Sequence, residues 1–335
     1  MNNLDTYTHT LWAVAARTLA LLGALAFLTV NMNIVFDRDE AVAVSSAPTA
    51  SPSAHTSSTA RVVSEARILF VGDMFFDRQI RFVSSMQGST FPFSCIEPLL
   101  QSADLVVGNL EGPITANPSV SFGTIPGSPN NYRFTFPTTT ATMLYRHNIR
   151  VVTLGNNHIL NFGWSGLAST HTHLDAVGVG YFGGVAGNEP VYEVSVDGVP
   201  LSFVSYNQFG GSSPGAVANT IDAEKKKGNE VLVFAHWGVE YSTSTATMRS
   251  IATLFAVNGA AAVIGSHPHV VGVHEQIAST TVYYSLGNFI FDQYFSSAVM
   301  HGLVVLLTIS KDGVIGVQEY PTELERDGRT CLANK

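Results

Sequence analysis

Five times along this chain a short run of apolar, often β-branched residues stops and gives way, through Gly or Ala, to Asp, Glu, Asn or His. Ile68–Val71 leads to Gly72-Asp73, and Leu105–Val107 to Gly108-Asn109-Leu110-Glu111. Val151–Leu154 leads to Gly155-Asn156-Asn157-His158, Val231–Ala235 to His236-Trp237-Gly238, and Ala261–Ile264 to Gly265-Ser266-His267-Pro268-His269. Unbroken apolar runs of this length fit strands buried on both faces. Between them lie stretches with helical spacing, at 138–147, 166–177, 216–227 and 245–257. Such alternation predicts an α/β chain: a layered sandwich with a central mixed, largely parallel sheet and flanking helices. Ligands of such sheets bind beyond the carboxyl ends of the strands, where all five polar clusters would meet. A single strand-end Asp is more often a helix cap, and a single His more often a structural residue. The recurrence is what predicts a shared polar site.

The later stretches 281–285, 302–309 and 314–320 read as an added antiparallel part. So does the pair 191–196 and 200–205, joined by an Asp197-Gly198 turn.

The segments before the body are of another kind. Residues 18–36 are uncharged and mostly apolar, with Arg17 before them and Asp37-Arg38-Asp39-Glu40 after. About 20 such residues span a bilayer. The reading is therefore a transmembrane signal anchor at 18–36, with 1–17 a cytoplasmic tail. A signal peptide cleaved near Ala41-Val42-Ala43 is the alternative, and either way the body is exported. Residues 37–66 form a linker, and 17 of the 20 residues at 41–60 are Ala, Ser, Thr or Pro. The globular domain is then 67–335.

Lys and Arg number 17 against 25 Asp and Glu, a net charge of −8. No basic block is present to neutralise phosphates, which argues against a nucleic-acid partner. Lys225-Lys226-Lys227 follows Glu224 and reads as a solvated helix end. Two cysteines, Cys95 and Cys331, exclude a disulfide-rich scaffold and a Cys-built zinc site. They form either one disulfide or two free thiols.

Carboxylate, amide and imidazole without thiolate suit one or two divalent ions such as Mn, Fe, Zn or Mg. The candidate ligands are Asp73, Glu111, Asn157, His236, His267 and His269. His267 and His269 share a side if their segment is a strand, whereas a turn at Pro268 would aim them at adjacent ions. Two ions about 3.5–4 Å apart, bridged by one carboxylate, clamp an in-line displacement at phosphorus. Glu111 is the natural bridge.

These blocks, with Tyr284-Ser285-Leu286-Gly287-Asn288-Phe289, occur in the order that resembles CapA-type capsule-synthesis proteins. The resemblance covers about 67–310. It implies a calcineurin-like metallophosphatase-type domain and a role in poly-γ-glutamate synthesis or export. Carried over residue by residue, it implies Asp73 as the carboxylate of a first ion and Glu111 as the bridge. Asn157 would be the amide ligand, His158 the group that protonates a leaving oxygen, and His236, His267 and His269 the imidazole ligands. Two positions depart from the pattern. Phe75 stands where Asp-x-His would place an imidazole, so one ion lacks a donor and the two affinities are expected to differ. Asn161 stands where a carboxylate could keep an imidazole charged.

Other signals are weaker. Gly211-Ser212-Ser213-Pro214-Gly215 has the spacing of a nucleophile elbow, but Pro214 has no N–H for an oxyanion hole. His171 and His173 sit two apart on a helix and face different ways. Phe289, Phe291, Tyr294 and Phe295 either line a groove over the site or pack in the core.

The leading expectation is an exported, membrane-anchored protein acting on an acidic cell-surface polymer as a metal-dependent hydrolase or transferase. Its further partners would be the membrane, through the N-terminal helix, and a polymer-synthase complex. The alternatives are a non-enzymatic component that binds polymer or synthase, and a secreted metallophosphodiesterase.

Overall fold

The computed structural model describes residues 64–185, 191–211 and 213–333. The expected tail and anchor, and nearly all of the linker, lie outside the described residues. Among the described residues no helix is long and apolar enough to cross a membrane.

The first sheet carries β1 (Ala66–Met74), β2 (Leu105–Leu110), β3 (Ile149–Thr153) and β4 (Gly180–Phe182) as parallel neighbours in that order. Joining them are α1 (Arg78–Gln87), α2 (Glu97–Leu100), α3 (Thr140–Arg146) and α4 (Gly163–Asp175). The second sheet begins with the hairpin β5 (Tyr192–Val196) and β6 (Val199–Asn207). After α5 (Pro214–Lys226), β7 (Glu230–His236), α6 (Ala246–Val257) and β8 (Ala260–Ser266) come β9 (His274–Ile277) and β10 (Thr280–Tyr283). The order in this sheet is β5-β6-β7-β8-β10-β9. The chain then returns to the first sheet with β11 (Asn288–Ile290), α7 (Ser297–Met300), β12 (His301–Ser310), β13 (Gly313–Leu324) and β14 (Thr330–Leu332). There β12 lies antiparallel on β1, so β1 sits between β12 and β2.

Strand alternation explains the layers. Ile68, Phe70, Val107 and Val151 of the first sheet meet Phe203, Leu232, Phe234 and Ile264 of the second. Leu69, Val71 and Val106 point the other way, into a core shared with Ile80, Leu144 and Leu167 of the helices. On the outer face of the second sheet, Val231, Val233 and Val263 are covered by Val217, Ile221, Ala252 and Phe255 of α5 and α6. Burial on both faces is why these strands read as unbroken apolar runs.

The α/β sandwich expected from sequence is present, with its strands divided between two facing sheets. Two details differ from expectation. The stretch at 281–285 is not simply antiparallel: β10 runs parallel to β8 and antiparallel only to β9. Likewise β6 is antiparallel to β5 but parallel to β7, which makes it an interior strand. The β5–β6 turn is as read, with Asp197 at φ 47° and Gly198 at φ 79°, the positive pair of a type I′ hairpin. Stretches 302–309 and 314–320 form the antiparallel pair β12–β13. Cys95 and Cys331 are disulfide-bonded, their Cα atoms 4.8 Å apart, tying β14 to the segment before α2.

Candidate metal centre

The carboxyl ends of β1, β2 and β3 face those of β7 and β8 across the seam between the sheets. Asp73 and Glu111 are fully buried there, as is His236. Gly72 makes the first approach possible. A Cβ at that position would lie 2.0 Å from the Gly287 carbonyl oxygen, and Asp73 N donates to that same oxygen at 3.0 Å. Strand β11 therefore lies close against the end of β1, with Asn288 opposite Asp73.

Asn109 organises the carboxylates. Its Nδ2 donates to Asp73 Oδ1 at 2.7 Å and lies 3.3 Å from Glu111 Oε2. Asn156 holds that amide in turn, donating to Asn109 Oδ1 at 3.0 Å. The backbone N–H of His267 donates to Asp73 Oδ2 at 3.2 Å. His236, the last residue of β7, places Nδ1 2.9 Å from Ser266 Oγ and Nε2 2.9 Å from Asn157 Oδ1. His269 places Nδ1 2.9 Å from Asn288 Oδ1.

The segment after β8 is a turn. His267 has φ 93° and His269 φ 56°, left-handed values that non-glycine residues adopt only where surrounding structure enforces them. The turn sends the two rings to different partners. Donor atoms of Glu111, His236 and His267 lie within 4.8 Å of one another, and so do those of Asp73, Glu111 and His269. Glu111 belongs to both groups. Asn157 joins the first through His236. The structure thus brings together all six residues proposed as ligands.

Among the described residues, the buried side-chain atoms without a hydrogen-bond partner include Glu111 Oε1 and His267 Nδ1. Leaving such atoms unpaired is costly, and both belong to the ligand groups. Electrostatics points the same way. Burial, and then the neighbouring Asp73 charge, raise the Glu111 carboxyl well above the usual range. Burial also acts to raise Asp73, but the hydrogen bond to His269, the electrostatic effect of the neighbouring imidazoles and the hydrogen bond from Asn109 together outweigh it and bring the group down to about 2. Burial lowers His236 well below the ordinary imidazole value, with His267 adding to the effect. It lowers His267 to about 4, helped by His269. These imidazoles are neutral at pH 7 with lone pairs to give, and the buried carboxylates call for a compensating positive charge. The donor set fits a divalent ion of the Mn, Fe, Zn or Mg type, with Asp73, Glu111, Asn157, His236, His267 and His269 the residues that would hold it.

His158 stands beside this cluster rather than in either ligand group. Its Nδ1 lies 3.1 Å from Asn161 Oδ1 and its ring packs on Phe134, with centroids 4.2 Å apart. Burial lowers it to about 4, only partly offset by Asn161. Phe75 is fully buried, stacked on Phe291 at 4.6 Å and edge-on to Phe134 at 4.7 Å. The position where an imidazole was expected from the resemblance is thus filled by an aromatic cluster. Phe289 and Phe291 are core residues, whereas Phe295 is exposed. His171 stacks on Tyr181 at 4.4 Å, away from the centre.

Sequence reasoning gave no role to Asn109, Asn156, Ser266 or Asn288. Three of them stand inside the polar blocks, so their position was visible. Their function as supports appears only once the strands are paired.

Fold and site together define a two-sheet α/β sandwich with paired candidate ligand groups at the seam of its sheets. The chain belongs to the family described as bacterial capsule synthesis protein PGA_cap, whose model matches residues 67–293. It is 29% identical over 244 residues to the PGA biosynthesis protein CapA of Bacillus subtilis (strain 168). It is 25% identical over 245 residues to the capsule biosynthesis protein CapA of Bacillus anthracis. Each match takes in 67% of this chain, but only 63% and 59% of the respective relatives. Among solved structures, TT1561 of Thermus thermophilus aligns with a TM-score of 0.42 at 10% identity, covering 73% of this chain and 99% of that one.

Proposed function

We propose that this protein is a metal-dependent component of poly-γ-glutamate-type capsule synthesis, exported and held at the membrane by its N-terminal segment. In this reading it acts as a hydrolase or transferase at a phosphoester or γ-amide of an acidic surface polymer, in contact with the polymer synthase. The carrying observation is the pair of ligand groups sharing Glu111, with Glu111 Oε1 and His267 Nδ1 buried and unpartnered. A divalent ion bound there would polarise an oxygen of the substrate as a Lewis acid. Asn109 and Asn156 hold the carboxylates in place, and Ser266, 2.9 Å from His236 Nδ1, orients that ring with Nε2 towards Asn157. His158 is neutral at pH 7, so it serves as a hydrogen-bond donor or acceptor to the substrate rather than as a charged acid.

Metal analysis of the purified protein tests the reading, followed by a screen on phosphodiester and γ-glutamyl substrates. The expected result is a bound divalent transition metal, lost together with thermal stability in His236→Ala. A metal-free parent, or a variant with unchanged metal content, overturns it.

One observation favours a second reading, in which the domain binds polymer or synthase without catalysis. Phe75, stacked on Phe291, stands where the resemblance would place an imidazole ligand, and Asn161 offers His158 no charge. Metal binding without turnover on either substrate class would select it.

A further inference from the structure

Beside the carboxylate–imidazole cluster lies a pocket of about 380 Å³. Tyr241 connects the two, its ring centroid 6.0 Å from that of His269 and 5.2 Å from that of Phe295. Four rings stand at the rim largely in solvent: Phe122 (51% exposed), Tyr132 (52%), Tyr241 (47%) and Phe295 (66%). Scattered exposed rings need no explanation, but four around one concavity mark a binding surface. Both walls carry backbone strain, with Arg78 at φ 44° and Tyr241 at φ 61°.

The charge of the lining says what fits. Among the described residues Arg78 and Asp292 are its only ionic side chains, and they pair with each other. The guanidinium is further committed through Nη1 to the backbone and side-chain oxygens of Asn131, both at 3.1 Å. No uncompensated cation is left to grip a polyanion. The remaining polar lining is neutral: the amides of Gln79 and Gln293, the phenols of Tyr132 and Tyr241 and the hydroxyl of Thr124, while the Ser121 hydroxyl is spent on Asp77. Aromatic faces are electron-rich and pack well against polarised C–H groups. Aromatic faces interleaved with neutral amides and hydroxyls suit a ring that has an apolar C–H face and a hydroxyl-bearing edge.

We infer that this pocket is a saccharide subsite, which seats a neutral pyranose unit of a glycan against Tyr241 and Phe295, next to the candidate metal centre. The inference goes beyond the metal reading and stands whether or not an ion is bound.

Calorimetric titration of the full chain with chitotetraose, cellotetraose and a γ-glutamyl oligomer tests it. A neutral tetrasaccharide is expected to bind with a Kd of about 1 mM or tighter. That Kd should change less than about twofold between roughly 0.05 and 0.5 M salt. Phe295→Ala and Tyr132→Ala should each weaken it about tenfold, with melting temperature and metal content retained. Phe295→Trp should keep the affinity. Absence of binding by both sugars at about 10 mM overturns the inference. So does sugar binding that is indifferent to both alanine variants, or salt-sensitive binding of the γ-glutamyl oligomer that those variants abolish. Metal analysis of the same samples separates the two readings. Retained metal without sugar binding sinks only the pocket, and sugar binding without metal sinks only the centre.

Discussion

His269 turns its Nδ1 onto Asn288 Oδ1 at 2.9 Å, while its Nε2 lies 3.7 Å from Glu111 Oε1. Asn288 is itself fixed, because its Nδ2 donates to the Val299 carbonyl at 2.9 Å. Its oxygen is therefore the atom presented to the ring, which keeps a proton on Nδ1 and leaves the lone pair on Nε2 facing the carboxylate. Removing such an outer partner commonly lowers metal affinity about 10–100-fold. Asn288→Ala should do so for the group of Asp73, Glu111 and His269 and leave that of His236 and His267 nearly intact. Metal titration of the stripped protein would show one weakened site. Equal loss at both would mean that Asn288 merely supports the fold.

Phe75→His tests the missing donor. The parent should show unequal affinities, tighter at the group of Asn157, His236 and His267. The imidazole should raise occupancy of the other group. It also breaks the aromatic cluster with Phe291 and Phe134, at an expected cost of about 1–3 kcal/mol of stability. Two equally tight sites in the parent would refute this account.

Acid sensitivity should come partly from Glu224. Burial acts to raise its pKa, but hydrogen bonds from Lys227, Ser202 and Asn229 outweigh burial and lower it. A lowered folded pKa gives stability that is present above the unfolded value, about 4.5, and lost as pH falls through the folded one. Melting temperature measured against pH should fall less steeply below about pH 4.5 in Glu224→Gln than in the parent. Identical slopes would remove Glu224 from the account.

The Cys95–Cys331 bond closes a sequence separation of 236 residues. Constraining so long a loop in the unfolded chain should contribute about 5 kcal/mol, so Cys331→Ser should lower the melting temperature markedly. Reductant should have the same effect on the parent and none on the variant. A variant as stable as the parent would contradict this.

The convergence of these polar residues is legible because the candidate ligands interrupt apolar runs, an abrupt local change that needs no tertiary knowledge. The division into two sheets is not. A strand such as Val231–Ala235, covered on both faces, reads the same whichever neighbours it takes. Helix α1 escaped notice because Arg78–Gln87 is mostly polar and buries little beyond Ile80 and Val83. Asn288 gave no signal of its role because its partner His269 is reached through the close pairing of β11 with β1, which depends on Gly72.

The seat of β1 between β12 and β2 has a consequence for where the chain can be cut. The family match ends at residue 293, yet β12 supplies Val304, Val305, Leu306 and Leu307 from beyond it, all buried. Ending the chain there would strip one flank of Ala66-Arg67-Ile68-Leu69-Phe70 and expose a row of unpaired backbone groups on a mostly apolar strand. Bare edges of that kind recruit other chains. Self-association through β1 would then compete with native pairing, and the segment that positions Asp73 would become the start of an aggregate.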